Sequence, residues 1–335
     1  MKEHVSVIGA GSWGTTLAHY LGERGHAVHL WVYEPEVCEA IERERENPVF
    51  LPGVRLSGRI RPTNDLRASI EGAEVVVSAA PSHVVRRLWE ELAPAVAERS
   101  AVVSASKGIE TSSLRTMTQV IRETAGAGRG LRLCVLSGPT FAREVAAGLP
   151  AAAVAASEDR KTARWVQALF SGPSFRVYTG EDVLGVELGG ALKNVIALTA
   201  GISDGLGLGS SARAALLVRG MAEITRLGAA MGADARTFAG LSGFGDLVLT
   251  STGELSRNRT VGLRLGRGEK LRDILAGMRM VAEGIETAKA ARRLGEREGI
   301  DLPITEQTCR VLFEEQGPHQ ALEELMNREL RKEFV

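Results

Sequence analysis

The chain has 335 residues, 44% of them hydrophobic and only 4% aromatic, and its 41 Lys and Arg balance its 41 Asp and Glu. Zero formal charge gives no general drive toward nucleic acid or an anionic membrane, and so few aromatics disfavour a base-stacking binder. Cys38, Cys134 and Cys309 are scattered and form no CxxC pair, so neither a zinc site nor a disulfide framework is expected.

The length suits one or two domains. The first residues run straight into a strand, with no long apolar leader. No uninterrupted apolar run approaches the roughly 18 residues of a membrane span. These features make a cytoplasmic protein without stable membrane insertion the expectation.

His4–Ile8 reads as a short apolar strand. Gly9-Ala10-Gly11-Ser12-Trp13-Gly14 follows, then a helix over Thr15–Arg24. This is GxGxxG in a strand–turn–helix setting, which predicts a dinucleotide site. Gly9 permits the tight turn, Gly11 lets backbone approach a pyrophosphate, and Gly14 lets the helix pack on the strand. A tight turn that binds nothing would use the same residues.

Ala27–Trp31 is a second strand. Near its end stands Glu34, where a carboxylate can accept from a ribose 2′-OH and repel a 2′-phosphate. That favours NAD over NADP. Glu34 can equally belong to the first turn of the next helix, where negative charge is also favourable.

Residues 35–70 read as polar helix and loop. Strands over Glu74–Ala80, Ser100–Ser106 and Leu131–Leu136 end in Pro81-Ser82-His83, Lys107-Gly108 and Ser137-Gly138-Pro139-Thr140. In a parallel sheet such tails gather in one crevice beyond the carboxyl ends of the strands. Lys107 is either a partner for an anionic ligand or a surface lysine, and His83 at most lines the cofactor pocket. Strands at Ala152–Ala156 and Ser174–Tyr178, around a helix over Asp159–Phe170, extend the sheet. The βα pattern stops near Asp182.

Residues 185–204 predict a helix with one strongly apolar face, rich in Gly and Ala, with Lys193 and Asn194 in its middle. A lone lysine there is either a pKa-shifted proton donor or a snorkelling side chain. A loop over 205–209 leads to a helix over Ser210–Ala230. Gly240–Asp246 reads as a second tight loop. Ser256-Arg257-Asn258-Arg259 precedes a helix, and its fork-shaped donors and amide suit a phosphate, unless it is a solvated basic helix start. Val281-Ala282-Glu283-Gly284 leads into another helix. Helices over Ile304–Phe313 and Pro318–Arg331 close the chain.

Taken together, GAGSWG at 9–14, PSH at 81–83, SKG at 106–108, SGPTFAREVAAGLP at 137–150, GGALKNVIA at 189–197, GDLVLT at 245–250, SRNR at 256–259, VAEG at 281–284 and LPIT at 302–305 resemble the bacterial-type NAD(P)-dependent glycerol-3-phosphate dehydrogenases. The resemblance runs from residue 4 to about 330. It implies an α/β Rossmann-like N-terminal domain over 1–184 and an all-α C-terminal substrate domain over 185–335, usually in a homodimer. It implies interconversion of glycerol 3-phosphate and dihydroxyacetone phosphate with NAD or NADP, for phospholipid synthesis and without a metal.

The family's catalytic lysine falls on Lys193, with Asn194 and Asp246 beside it in the expected mechanism. Its substrate positions fall on Lys107, Gly138, Thr140, Lys193, Asp246, Ser256, Arg257 and Asn258. Its cofactor positions fall on Ser12, Trp13, Tyr33, Lys107, Ala142, Arg257, Val281 and Glu283, beside the Gly9, Gly11, Gly14 and Glu34 already singled out. Many relatives carry a basic residue near Tyr33-Glu34, which is missing here. Ser211 replaces a usual Asn, so one polar contact is expected to be weaker or differently made. Ser251 stands where many have Cys.

Lys193 is then the general base in alcohol oxidation and the acid in ketone reduction. Burial and a nearby Lys107 would lower its pKa, and Asp246 would oppose that. Two other readings fit parts of the pattern. A β-hydroxyacid dehydrogenase lacks a reason for Arg257-Asn258, and an NAD(H) sensor lacks a reason for the polar set of the second half.

Overall fold

The computed structural model describes residues 2–98, 100–126, 129–278, 282–330 and 332–333. Among them eight strands form one sheet: β1 His4–Ile8, β2 Ala27–Trp31, β3 Ile60–Thr63, β4 Val75–Ser78, β5 Ala101–Ser104, β6 Arg132–Ser137, β7 Ala151–Ala156 and β8 Phe175–Gly180. Their spatial order is β3-β2-β1-β4-β5-β6-β7-β8. β3 through β6 pair in parallel, β7 runs antiparallel to β6, and β8 is parallel to β7. The chain moves outward from β1 through β3, then returns to lay β4 on the other side of β1. That reversal opens a crevice beyond the carboxyl ends of β1 and β4, where open α/β sheets bind their ligands.

Among the described residues six α-helices cover this sheet: α1 Ser12–Glu23, α2 Pro35–Glu44, α3 Val85–Leu92, α4 Met117–Ala125, α5 Ala142–Ala146 and α6 Arg160–Phe170. Alternate strand residues enter opposite cores, as a sheet buried on both faces requires. Val75 and Val77 pack with Leu17, Leu21 and Phe170, whereas Val76 and Val102 pack with Trp89, Leu92 and Ile121.

The structure adds a strand, β3, where the sequence reads as helix and loop. Its segment, Ile60-Arg-Pro-Thr63, buries only Ile60 fully, so it carries no alternating apolar signal. Pro62 is tolerated because β3 is an edge strand with one unpaired side.

Nine α-helices follow among the described residues: α7 Val183–Gly205, α8 Gly209–Ala230, α9 Ala235–Phe238, α10 Asp246–Thr252, α11 Arg257–Gly266, α12 Leu271–Ala276, α13 Glu283–Glu298, α14 Pro303–Phe313 and α15 Pro318–Met326. The chain is thus an α/β Rossmann-like unit followed by an all-α unit.

α7 is the axis of the second unit. The single apolar face expected for it is replaced by burial on all sides, with 18 of its 23 residues buried. Glycines permit this by letting other backbones come close. A methyl group on Gly201 would lie 2.1 Å from the Arg259 carbonyl oxygen of α11, and one on Gly262 of α11 would lie 1.9 Å from the Leu198 carbonyl oxygen. Among the described residues α7 is the one helix long and apolar enough to cross a membrane, but 83% of its apolar window is buried inside the protein. It is a core helix.

Candidate functional site

The Gly-rich turn has the geometry its sequence demands. Gly9 adopts φ +110°, in the region that favours glycine. A methyl group on Gly14 would sit 1.9 Å from the Gly9 carbonyl oxygen. At Gly11 no atom from elsewhere in the described residues lies within 4 Å of the place a Cβ would take. Gly11 is the N-cap of α1 and offers no side-chain cap to its first N–H groups. The Trp13 indole N–H in that first turn is buried without a hydrogen-bond partner among the described residues. An open cradle at a helix N-terminus fits the pyrophosphate of a dinucleotide. Ser12 donates its hydroxyl to the Phe50 carbonyl at 2.6 Å, tying the turn to the segment after α2.

Tyr33 is 65% exposed just beyond β2, with its ring edge-on to Trp31. Glu34 is the N-cap of α2, yet its carboxylate makes no capping bond. Ala142 opens α5, and its carbonyl accepts from Thr16 of α1 at 3.1 Å. His83 is exposed.

The tails of β5 and β6 meet the middle of α7. A methyl group on Gly190 would strike the Ser137 hydroxyl at 2.6 Å, so glycine there lets α7 lie against the end of β6. Gly138 is similarly tight, its missing Cβ position lying 2.7 Å from the Ala152 carbonyl oxygen. Thr140 donates to the Gly138 carbonyl at 3.2 Å, and Lys107 Nζ donates to the same carbonyl at 3.1 Å.

Residues 240–246, expected as a loop, form a π-helical turn, Leu241–Gly245, running directly into α10. Such turns are frequent at functional sites, and the residue that follows this one is Asp246, 1% exposed. Its Oδ2 accepts from Lys107 Nζ at 2.5 Å and its Oδ1 from Lys193 Nζ at 2.8 Å. Lys193 also donates to Thr250 Oγ1 at 2.5 Å. Two of the three ammonium donors are therefore used, which leaves one N–H direction for a ligand.

Thr250 is the member of this network that sequence reading missed. It lies one helical turn after Asp246 and donates to Oδ1 at 3.1 Å. The i, i+4 relation would have shown it, had the segment been read as a helix.

Burial pushes the Lys193 amine down to about 8; the Asp246 carboxylate resists, while Lys107 and Arg257 reinforce the drop. Burial alone would raise the Asp246 carboxyl, but the ammoniums of Lys107 and Lys193 outweigh it and hold the group below its usual value. A buried lysine titrating near neutrality beside a permanent carboxylate can take and return one proton.

Asn194 is expected to position either Lys193 or the substrate oxygen. Its amide makes no bond to Lys193 among the described residues. Its Oδ1 accepts from Asn258 Nδ2 at 2.9 Å and its Nδ2 donates to the Gly190 carbonyl at 3.4 Å. Successive residues on a helix point about 100° apart, so Asn194 cannot share the Lys193 face. Asn258 is likewise committed, since its Oδ1 accepts from Gly284 N at 3.0 Å. It joins α7, α11 and α13 and keeps one amide N–H for a ligand.

Ser256 caps α11 by accepting from Arg259 N at 3.2 Å. The Arg257 guanidinium, in contrast, makes no hydrogen bond or ion pair among the described residues and is exposed. Glu283, the first residue of α13, accepts from the Ser82 hydroxyl at 2.6 Å and so spans the two units. Burial raises its carboxyl against the pull of the Ser82 bonds. Val281 lies outside the described residues. Ser211 is exposed in the first turn of α8. No group of three or more His, Cys, Asp or Glu suited to a metal occurs among the described residues.

Two family models match this chain in tandem. The NAD-dependent glycerol-3-phosphate dehydrogenase N-terminus matches residues 4–163, and the C-terminus of the same family matches 182–323. The chain belongs to the NAD-dependent glycerol-3-phosphate dehydrogenase family. It is 55% identical over 333 residues to a glycerol-3-phosphate dehydrogenase [NAD(P)+] of Geobacter metallireducens, covering 99% of both chains. Glycerol-3-phosphate dehydrogenase of Coxiella burnetii has a similar crystal structure, with TM-score 0.93, 37% identity and coverage of 98% of this chain and 99% of that one. The yeast enzyme of Saccharomyces cerevisiae is similar at TM-score 0.82 and 28% identity, over 96% and 99% of the two chains. The cofactor of this dehydrogenase family is NAD or NADP, which the open cradle at Gly11 accommodates.

Proposed function

We propose that the chain interconverts sn-glycerol 3-phosphate and dihydroxyacetone phosphate, using NAD or NADP. The observation that carries this reading is the triad of buried Lys193 and Asp246 with half-buried Lys107, which joins the Rossmann side to the helical side and has the Arg257 charge acting on Lys193. The unit over 1–184 brings the cofactor turn and Lys107. The unit over 185–335 brings Lys193, Asp246, Ser256, Arg257 and Asn258.

When bound, the nicotinamide exchanges the hydride at C2 of the substrate. Gly9, Gly11, Ser12, Trp13 and Gly14 would hold the cofactor phosphates, with Tyr33 and Glu34 toward its adenosine end and Ala142, Arg257 and Glu283 farther along. In alcohol oxidation, neutral Lys193 takes the proton of the C2 hydroxyl on Nζ and becomes an ammonium. In ketone reduction it returns that proton to the oxygen. Asp246 and Thr250 fix the Nζ position, and Asp246 stabilises the ammonium form. Arg257 binds the substrate phosphate through its guanidinium fork, with Asn258 supplying its remaining N–H, so that remote binding energy orients C2. Lys107, Gly138 and Thr140 close the Rossmann side.

The chain is further proposed to act in the cytoplasm as a homodimer supplying phospholipid synthesis. A solution mass near twice the 35.8 kDa of one chain checks the dimer. The reaction is tested by assaying dihydroxyacetone-phosphate reduction with NADH and NADPH side by side. Turnover with either supports it, and no turnover with both overturns it.

A further inference from the structure

The loop that carries Lys107 starts in one folding unit and is packed into the other. It joins β5 to α4 and closes on itself where Ile109 bridges Thr116, with Glu110 N donating to the Arg115 carbonyl at 2.9 Å. Its apolar members, Ile109 and Leu114, are buried in the same core cluster as Leu188, Leu192 and Val195 of α7. Arg293 of α13 donates to the Thr111 carbonyl. From the Rossmann side Arg86 of α3 holds Glu110 with two bonds, at 2.9 and 2.8 Å.

At the base of this loop lies a carboxylate with no place in the mechanism above. Glu187 of α7 is buried, and it accepts from Thr118 N at 2.8 Å and from the Thr118 hydroxyl at 2.5 Å. Thr118 is in the first turn of α4, where unpaired N–H groups and the helix dipole favour an anion. Burial raises the Glu187 carboxyl, and the Thr118 bonds and Arg122, one turn further along α4, pull against that rise. Glu187 and Lys193 share one rigid helix, and Thr118 and Lys107 flank one closed loop. The Glu187–Thr118 pair therefore fixes the distance between the two lysines that share Asp246.

We propose that Glu187 is a positioning residue for the reaction, which seats the Lys107 loop on α7 and so sets Lys107 against Asp246 and Lys193. This rests on the dehydrogenase reading above. A merely structural strut would stabilise the fold but leave the proton chemistry of Lys193 alone. A positioning residue alters that chemistry, because Lys107 presses down on the Lys193 ammonium only while it is held near.

The test is steady-state oxidation of glycerol 3-phosphate across pH with wild-type enzyme, Glu187→Ala, Glu187→Gln and Thr118→Val. In Glu187→Ala, kcat is expected to fall on the order of 10- to 100-fold, as misplacement of a catalytic group does. The loss should fall mainly in kcat rather than in the KM for NAD, since the Gly9–Gly14 turn keeps its own anchor from Ser12 to Phe50. The pH midpoint of the rate should move upward. Glu187→Gln keeps an acceptor for Thr118 N and a donor for its hydroxyl, so it should retain wild-type rate within about threefold and the wild-type midpoint. Should Glu187→Ala not fold, Thr118→Val, which leaves the backbone bond, should show the same shifts at smaller size. Wild-type kcat and pH midpoint in folded Glu187→Ala, or in Thr118→Val in its stead, overturn the assignment, as does lowered thermal stability with no change in midpoint. No turnover by the wild-type chain would strike at the reaction itself, which is a separate result.

Discussion

Lys107 and Asp246 meet at 2.5 Å across the two folding units, one at the end of a Rossmann strand and the other at the start of α10. Asp246 thereby balances two ammoniums, Lys107 and Lys193, in a buried space. Asp246→Asn keeps the shape and removes the charge. The Lys193 amine loses the one influence that holds its pKa up, so its midpoint should drop below about 8. The rising limb of glycerol 3-phosphate oxidation should move to lower pH, while kcat falls on the order of 100-fold because Nζ is no longer aimed. A pH profile of kcat/KM checks both. An unmoved midpoint would remove Asp246 from control of the lysine.

The wild-type profile follows from the same lysine. Oxidation needs neutral Lys193, so its kcat/KM should rise with pH through about 8; reduction needs the ammonium and should fall through the same region. Lys193→Ala should cost about 100- to 10,000-fold in turnover in both directions. NADH binding, followed by fluorescence, should be nearly intact. Near-normal turnover in this variant would take the lysine out of the mechanism.

Much of this site was legible as sequence because each part is local. GAGSWG is a contiguous turn, and the ends of β4, β5 and β6 are recognisable as polar tails after apolar runs. What was not legible depends on packing at a distance. The all-round burial of α7 follows from where α11 and the π-helical turn lie, which no periodicity in 185–204 contains. The Asn194–Asn258 pair joins residues 64 positions apart, so two amides that each look available for ligands turn out to be mostly spent on one another. Thr250 escaped because Gly-rich 240–245 reads as loop, which hides the helical spacing from Asp246. β3 escaped because an edge strand with one buried residue has no pattern to show.

Arg257 offers the one guanidinium at the site without a hydrogen bond or ion pair among the described residues. Arg257→Ala should weaken the response to glycerol 3-phosphate by about 2–4 kcal/mol in kcat/KM, the scale of a lost charge-assisted fork. It should leave little preference over glycerol. Steady-state competition between the two substrates measures this. Unchanged discrimination would move the phosphate elsewhere.

Glu34 stands at the end of β2 with an uncapped carboxylate and no basic neighbour at Tyr33 or Pro35. A 2′-phosphate placed there would meet negative charge, so the wild-type chain should favour NADH over NADPH. Glu34→Gln should narrow that preference by about tenfold, the equivalent of 1.4 kcal/mol, mainly through the KM for NADPH. A wild-type enzyme that prefers NADPH would overturn this role for Glu34.

Two glycines separate binding from folding. Gly262 lies where α11 touches α7, and a methyl group there would sit 1.9 Å from the Leu198 carbonyl oxygen. Gly262→Ala should therefore destabilise the fold by about 1–3 kcal/mol, the usual range for overpacking. This outweighs the gain of up to about 1 kcal/mol that alanine otherwise brings to a helix. At Gly11 the same methyl group meets nothing from elsewhere in the described residues within 4 Å, and the φ of −64° suits alanine. Gly11→Ala should keep or slightly raise stability, yet it fills the cradle where backbone must approach the cofactor phosphates. Its Kd for NADH should rise about tenfold or more. Urea unfolding and NADH titration on both variants should give opposite patterns: Gly262→Ala less stable with normal binding, Gly11→Ala stable with weak binding. Normal NADH affinity in Gly11→Ala would place the dinucleotide away from the Gly-rich turn.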